Sequence, residues 1–283
     1  MPRAEQITDV ITHHGEGPVW DDRANVLRVV DIPTGDIVTL DDGGLERLHV
    51  GTVAAAWRPR ASGGLVVAVE RGFVLVDAAM QIEKSIEAWT DPAVRMNDGA
   101  CDRHGSFYCG SMAYDKTPGA ASVYRLDPDG TVRVVLDDVT ISNGMVWSAT
   151  ADTAYYIDTA TQRVDTIRAD PQSGQFVDRR PVVVMDKSVG SPDGMTVDAD
   201  GGLWVAMWGG GAVGHFAADG TLIETIEVNA RQVTACTFGG TDFDTLYITT
   251  SRENLEDGED PKAGAIFAHH PQVHGVAQLS FAG

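Results

Sequence analysis

Four short segments of the chain place a carboxylate or amide side chain close to a glycine. Glu16 lies in GEGP, Asn97 in MNDG, Asn143 in SNGM and Asp193 in PDGM. Carboxylate and amide oxygens are the ligands that hard divalent cations take in proteins. If Glu16, Asn143 and Asp193 meet in the folded chain, they offer three oxygen ligands to one such cation.

The same segments have a simpler interpretation, because Asn-Gly and Asp-Gly pairs are common in tight turns. Their placement favours the shared site, since each segment precedes the first large apolar residue of the next strand by a similar number of residues. The offsets are 11 (Glu16 to Leu27), 10 (Asn97 to Phe107), 12 (Asn143 to Tyr155) and 10 (Asp193 to Leu203). From the residues alone, both interpretations remain open.

One pattern recurs six times along the chain: a turn rich in Asp and Gly, then a short alternating apolar strand. The first large apolar residues of the copies are 38, 42, 48, 48 and 43 residues apart, at Leu27, Leu65, Phe107, Tyr155, Leu203 and Leu246. A spacing of roughly 40–50 residues is typical of a four-stranded propeller blade, and stretches of helical periodicity are scarce. We therefore predict an all-β fold, a six-bladed β-propeller in which residues 1–283 form a single domain. Residues from different blades would then meet at the end of the central channel.

The composition limits the classes of partner. The 283 residues carry a formal net charge of −20, and such a surface repels nucleic acid and anionic membranes. We expect neither as a partner, and no obligate protein partner is evident. The N-terminal segment lacks the signal-peptide pattern, no apolar run has the roughly 18 residues of a membrane-spanning helix, and the three cysteines lack C-x-x-C spacing. These features predict a cytoplasmic protein with free thiols.

Several segments together resemble the senescence-marker-protein/gluconolactonase/luciferin-regenerating (regucalcin-like) family. They are GEGPVWDD, RMNDGACDRHGSFYCGSM, SNGMVWS, SPDGMTVDADGGLWVAMWGGG and TACTFGGTDFDTLYITTSR, in the family's order over about residues 12–283. The resemblance implies a six-bladed propeller with a divalent metal ion in the central channel. It also implies hydrolysis of sugar lactones as the activity.

The resemblance also implies roles for individual residues. Glu16, Asn143 and Asp193 would bind one divalent metal ion, with Ca, Zn, Mn and Mg all open. Asp193 would in addition be the general base, and Arg95 and Asn97 would hold the substrate.

Other positions bear on the substrate. Asp115 falls where the family has an acidic substrate contact, although its segment AYDKTPGA matches less well. His13 and His14 stand where many relatives have aliphatic residues, in the region of a substrate lid, and the glycines after Trp208 lack a basic residue that many relatives carry. These differences leave the lactone open. The acidic run from Glu253 to Asp260 lacks calcium-loop spacing and is predicted to be a solvated loop.

The expected function is divalent-metal-dependent hydrolysis of a small-molecule substrate, an aldonolactone, to the sugar acid, as in a gluconolactonase. A divalent ion can polarise the ester carbonyl and lower the pKa of a bound water, and the sequence has no G-x-S-x-G segment that would indicate a serine esterase. Two alternatives stay open: a metal-dependent esterase or phosphotriesterase with the same site, and a non-catalytic calcium-binding propeller.

Overall fold

Six four-stranded antiparallel sheets make up the fold, an all-β six-bladed propeller as the repeat predicts. The computed structural model describes residues 1–41, 43–148, 150–151, 153–170 and 175–283. In chain order the strands are β1 (Glu5–Gln6), β2 (Gly15–Asp21), β3 (Val26–Asp31), β4 (Asp36–Asp41), β5 (Gly44–His49), β6 (Ala54–Pro59), β7 (Leu65–Val69), β8 (Gly72–Val76), β9 (Ile82–Glu87), β10 (Val94–Cys101), β11 (Phe107–Ala113), β12 (Ala121–Leu126), β13 (Val132–Val139), β14 (Ser142–Trp147), β15 (Ala154–Asp158), β16 (Arg163–Ala169), β17 (Phe176–Val184), β18 (Ser191–Val197), β19 (Leu203–Trp208), β20 (Ala212–Phe216), β21 (Leu222–Glu227), β22 (Val233–Gly239), β23 (Thr245–Thr250) and β24 (Phe267–His269). Short 3-10 helices lie at Ile32–Thr34 after β3, at Thr159–Thr161 after β15 and at Lys187–Val189 before β18.

The blades follow one another along the chain as simple meanders. Blades 1 to 5 are β2–β5, β6–β9, β10–β13, β14–β17 and β18–β21, and blade 6 joins β22–β24 to β1. In blade 6, Glu5 pairs with Ala268 and Gln6 with Phe267, so hydrogen bonds between the two ends of the chain close the ring. The six apolar residues that revealed the repeat all lie in the second strand of a blade.

The first strand of each blade lines the central channel. These inner strands contact one another in the order β2, β6, β10, β14, β18 and β22, and β22 returns to β2. Apolar side chains fill the space between blades; Trp57, Phe107 and Trp204, for example, are completely buried. Burial of such side chains stabilises the fold by roughly 1.5–3 kcal/mol each, and it fixes the inner strands that carry the candidate site.

The C-terminal segment after β24 crosses the channel end where the inner strands finish. Phe281 N–H donates to Pro59 O at 2.9 Å, and Ala282 N–H donates to Gly105 O at 2.9 Å. On the other side, Ala199 N–H donates to His274 O at 2.8 Å. Phe281 is 1% exposed. This segment covers one end of the channel, and the candidate site lies at the other.

Two further expectations concern cysteines and membranes. The three cysteines, Cys101, Cys109 and Cys236, are free and buried, and burial raises the pKa of each thiol above its usual range. Within the described ranges, no helix is long and apolar enough to cross a bilayer.

Candidate functional site

A cavity of about 210 Å³ opens at the channel end where the inner strands begin. Its lining residues are His14, Glu16, Arg95, Asn97, Met112, Lys116, Ile141, Asn143, Thr159, Ser191, Asp193, Trp208 and Glu253. The structure therefore brings five of the predicted site residues together: Glu16, Arg95, Asn97, Asn143 and Asp193. They come from blades 1, 3, 4 and 5.

Asp115, the sixth predicted site residue, is not among the lining residues. It is exposed, and its Oδ1 accepts a 2.9 Å hydrogen bond from Thr117 N–H within its own turn. That hydrogen bond holds the pKa of Asp115 below its usual value. Its neighbour Lys116 lines the cavity instead.

The predicted metal ligands lie at β-bulges in the inner strands, so the interpretation of these segments as hairpin turns is wrong. The strand register shifts between Glu16 and Val19 in β2, and between Asn143 and Met145 in β14. Asp193 lies inside the corresponding bulge of β18. A bulge re-aims a side chain that would otherwise follow the regular alternation of the strand. Here it directs polar side chains into the channel.

The glycines that follow two of these ligands permit close approach of neighbouring blades. A Cβ on Gly144 would lie 2.7 Å from Asp193 O, and a Cβ on Gly194 would lie 2.4 Å from Ala235 Cβ. Both distances are shorter than real Cβ contacts, so only glycine fits at these positions. The motif glycines therefore serve blade packing rather than turn formation.

Hydrogen bonds determine which end of the Asn143 amide faces the cavity. Thr159 Oγ1 donates to Pro192 O at 2.8 Å, so its hydrogen is already used. Thr159 can then only accept from Asn143, whose Nδ2 lies 2.9 Å away. The Asn143 Oδ1 is left on the cavity side, as a cation ligand requires.

Asn97 is bonded to protein groups at both ends of its amide. Its Nδ2 donates to Ser142 O at 2.7 Å and to Asn143 Oδ1 at 3.2 Å. Its Oδ1 accepts from Arg95 Nη1 at 2.7 Å. Asn97 therefore orients both Asn143 and Arg95. The Nε and Nη2 groups of Arg95 have no hydrogen-bond partner in the part of the chain that the structure describes.

Glu16 and Asp193 are buried carboxylates that form no ion pair with any residue in the described ranges. Glu16 is 3% exposed and Asp193 is 5% exposed. Glu16 Oε2 accepts one hydrogen bond, from Gly17 N–H at 2.7 Å; among the described residues, Asp193 accepts none and neither acid forms an ion pair. Burial, assisted by the nearby Asp98, raises the pKa of Glu16 to about 8. Burial and the charge of Glu16 raise the pKa of Asp193 well above its usual value.

This arrangement suits a cation. Two buried carboxylates near one another repel each other, and a positive ion between them would relieve both that repulsion and the cost of desolvation. Over the described ranges, no group of three or more His, Cys, Asp and Glu side chains is placed to hold a metal ion. The candidate set contains only two such residues, and its third oxygen belongs to the Asn143 amide. These residues fit a hard divalent cation.

Glu253 and His14 form a second polar group in the cavity. The sequence places His14 in the region of a substrate lid but does not predict Glu253 as part of the site. His14 Nδ1 lies 3.5 Å from Glu253 Oε2 and 3.2 Å from Ser251 Oγ. The His14 ring stacks on Trp208 with 5.8 Å between centroids. The contact with His14 lowers the pKa of Glu253 to about 2, while burial lowers the pKa of His14. His13, by contrast, is exposed.

The run from Glu253 to Asp260 is a largely exposed loop, as the sequence predicts, but its first residue, Glu253, also lines the cavity. The position of Glu253, just after the second strand of its blade, could have indicated that it lies near the site. The second strand of each blade runs antiparallel to the inner strand, so the residues after it return to the channel end where the inner strands begin. Glu253 follows β23, Lys116 follows β11 and Thr159 follows β15 by one to three residues, and Trp208 ends β19.

Comparison with known families and sequences gives a consistent result. Residues 14–252 match the family model described as the SMP-30/gluconolactonase/LRE-like region. The chain is 36% identical over 280 residues to YvrE of Bacillus subtilis, provisionally named a sugar lactone lactonase, with 95% of each chain covered. It is 35% identical over 283 residues to regucalcin of Danio rerio, again with 95% of each chain covered.

Solved structures share the fold over the whole chain. A luciferin-regenerating enzyme superposes with a TM-score of 0.88 at 27% identity, and all of both chains is covered. A calcium-binding protein, regucalcin, from Agrobacterium tumefaciens gives a TM-score of 0.92 at 26% identity, covering 100% of this chain and 99% of the other.

Proposed function

Since the chain belongs to the SMP-30/gluconolactonase/LRE-like family, we propose that it hydrolyses a sugar lactone to the free sugar acid with the help of one divalent metal ion. The observation that carries the proposal is the pair of buried carboxylates, Glu16 and Asp193, that form no ion pair with any described residue and face the same cavity as the Asn143 oxygen. The Arg95 guanidinium lines this cavity as well and provides donors for a substrate.

Glu16, Asn143 and Asp193 would hold the ion through side-chain oxygens. A divalent ion, when bound, polarises an ester carbonyl and lowers the pKa of a water molecule. A donor set made only of oxygens favours Ca²⁺, Mg²⁺ or Mn²⁺ over Zn²⁺, which more often takes nitrogen and sulfur ligands. The three blades supply only three ligands, so room remains for water and substrate.

Asp193 is the proposed general base. Its carboxylate accepts no hydrogen bond from the described residues, so an oxygen is available to take a proton from the attacking water. The proton later passes to the alkoxide that the ring opening releases.

Arg95 is the proposed substrate-binding residue. Its Nη1 is held by Met96 O at 2.9 Å and by Asn97 Oδ1 at 2.7 Å, so the guanidinium has one orientation. The remaining N–H groups can donate to the ester or hydroxyl oxygens of a lactone. Asn97 acts on the substrate through Arg95, because both ends of its own amide are already bonded within the protein.

The size of the cavity also supports a small substrate. Its volume of about 210 Å³ lies below the roughly 300–1,000 Å³ of sites for drug-sized ligands. A monosaccharide lactone suits such a volume better than a large ester.

Acid release measured at constant pH tests the proposed function. The substrates are D-glucono-1,5-lactone, two pentonolactones, p-nitrophenyl acetate and a phosphotriester, each with chelator-treated and metal-reloaded protein. We expect the sugar lactones to be hydrolysed fastest and the chelator to abolish the reaction. Asp193→Ala should be inactive, whereas Asp219→Asn, an exposed turn residue of the same blade, should behave as the wild type.

The other outcomes separate the alternatives. Faster hydrolysis of the phosphotriester or the aryl ester would assign the site to a different ester class. Calcium binding without hydrolysis of any of these substrates would indicate a non-catalytic binding propeller.

A further inference from the structure

The cavity has two polar sides, and only one of them belongs to the proposed metal and ester chemistry. Glu16, Asn143 and Asp193 lie on the inner strands. Glu253 lies on the segment that follows β23 in blade 6, next to His14, which directly precedes β2. The proposed chemistry uses neither Glu253 nor His14.

Neighbouring groups contact both the backbone and the carboxylate of Glu253. Ser251 Oγ accepts the Glu253 backbone N–H at 2.9 Å, and the same Oγ lies 3.2 Å from His14 Nδ1. With its proton on Nδ1, His14 can donate toward both Ser251 Oγ and Glu253 Oε2, which is 3.5 Å away. The stacking of His14 on Trp208 fixes the plane of the ring. These contacts place the Glu253 carboxylate beside His14 at the edge of the cavity.

The Glu253 carboxylate is also partly open toward the cavity. Its side chain is 37% exposed, and across the described residues its Oε1 accepts no hydrogen bond. Arg95 and Lys116 of blade 3 lie near enough to attract its negative charge. A ligand in the cavity would therefore meet cationic donors on blade 3 and an anionic acceptor on blade 6.

We propose that Glu253, positioned by His14, is a specificity-determining residue that accepts hydrogen bonds from the hydroxyl groups of the lactone. This inference rests on the proposed function and names the residues that select a polyhydroxylated substrate. The hydroxyl groups of a sugar lactone can donate hydrogen bonds to the Glu253 carboxylate. A lactone without hydroxyl groups displaces water from Glu253 and provides no hydrogen-bond donor in its place. Loss of a hydrogen bond to a charged group costs about tenfold to a hundredfold in kcat/KM.

Two lactones that share the ester and differ in hydroxyl groups test the proposal. In metal-loaded protein, Glu253→Ala, which removes the acceptor, should lower kcat/KM for D-glucono-1,5-lactone at least tenfold and change that for δ-valerolactone less than threefold. Glu256→Ala is the matched control, since Glu256 is exposed on the same loop and outside the cavity. An equal loss with both lactones, or no loss with either, would overturn the proposal.

The positioning role of His14 needs a separate pair of variants. His14→Phe keeps a ring that can stack on Trp208 but removes the donor to Glu253, and His14→Gln keeps a donor but removes the ring. We expect His14→Phe to raise KM for D-glucono-1,5-lactone with kcat nearly unchanged, and His14→Gln to restore KM to within about threefold of the wild type. Wild-type KM in His14→Phe would exclude positioning through this hydrogen bond.

Equilibrium binding separates a failure of this inference from a failure of the proposed function. If the wild type hydrolyses none of the sugar lactones, the pentonolactones included, the proposed function is wrong, and calorimetric titration with D-glucitol still tests Glu253 in the calcium-loaded protein. At least tenfold weaker D-glucitol binding by Glu253→Ala, with calcium affinity unchanged, supports the inference. Equal D-glucitol affinity, or lost calcium affinity, overturns it.

Discussion

The Asn97 side-chain nitrogen lies 3.2 Å from the Asn143 side-chain oxygen, and this hydrogen bond joins blades 3 and 4 at the edge of the cavity. It continues on one side to Arg95 and on the other, through Thr159, to Pro192 next to Asp193. Arg95 and Asn97 are therefore joined by hydrogen bonds to one proposed metal ligand, Asn143, in a chain that ends at the backbone next to a second, Asp193.

Arg95 and Asn97 should act on the substrate as a unit. We expect Arg95→Ala and Asn97→Ala each to lower lactonase kcat/KM at least tenfold. Arg95→Ala removes the guanidinium that donates to the substrate, and Asn97→Ala removes the side chain that orients this guanidinium. The double variant should lose less than the sum, with a coupling energy of about 0.5–3 kcal/mol. Arg95→Ala should keep metal affinity within a few-fold in calorimetric titration. Additive losses would show that the two residues act separately.

Thr159 should affect metal affinity although it is not a proposed ligand. Thr159→Val removes the acceptor that holds the Asn143 amide, so Asn143 can rotate its oxygen away from the cavity. We expect metal affinity to fall by roughly tenfold to a hundredfold, and Thr159→Ser to retain it. Thr166→Val, in the next strand of the same blade, is the control. Unchanged affinity in Thr159→Val would mean that something else orients Asn143.

Substitutions of Asp193 should separate its proposed role as a metal ligand from its proposed role as the general base. Asp193→Ala removes an oxygen and a charge, so both metal binding and hydrolysis should be lost. Asp193→Asn keeps an oxygen but cannot accept the proton, so metal should still bind, more weakly, while kcat falls by at least a hundredfold. Calorimetry and lactone kinetics on the same preparations measure both. A kcat near that of the wild type in Asp193→Asn would assign proton transfer to another group.

Gly144 should control the distance between the blades that carry Asn143 and Asp193. A Cβ there would lie 2.7 Å from Asp193 O and 2.9 Å from Met195 Cγ. We expect Gly144→Ala to destabilise the fold by about 1–3 kcal/mol and to weaken metal binding at least tenfold. Thermal unfolding and calorimetry measure the two effects. Gly258→Ala places its Cβ within 4 Å of none of the described atoms, although its φ of 81° strains an alanine. It should therefore cost stability but leave metal affinity intact.

The sequence predicts the parts of the fold and site that repeat. The six copies of the repeat predict the six blades, because each blade begins a new inner strand after a turn. The similar offsets predict that Glu16, Asn143 and Asp193 lie in one cavity, because the inner strands share a register around the axis. The bulges could not be read from these segments, since Asn-Gly and Asp-Gly also form turns.

The parts that do not repeat were harder to predict. Glu253 and Thr159 belong to connections whose lengths differ between blades, so no periodic spacing marks them. Asp115 illustrates the same difficulty. In this turn, Lys116 has a φ of 58° and lines the cavity, whereas Asp115 is exposed and accepts a hydrogen bond from Thr117 N–H. One residue of difference in such a turn decides which side chain reaches the site.

Diffraction from crystals soaked in Mn²⁺, recorded above and below the manganese absorption edge, tests the central proposal most directly. We predict one anomalous peak in the cavity, with oxygens of Glu16, Asn143 and Asp193 at roughly 2.0–2.6 Å from it. No peak between these side chains, or a peak with the three oxygens more than about 6 Å away, would contradict a shared metal site.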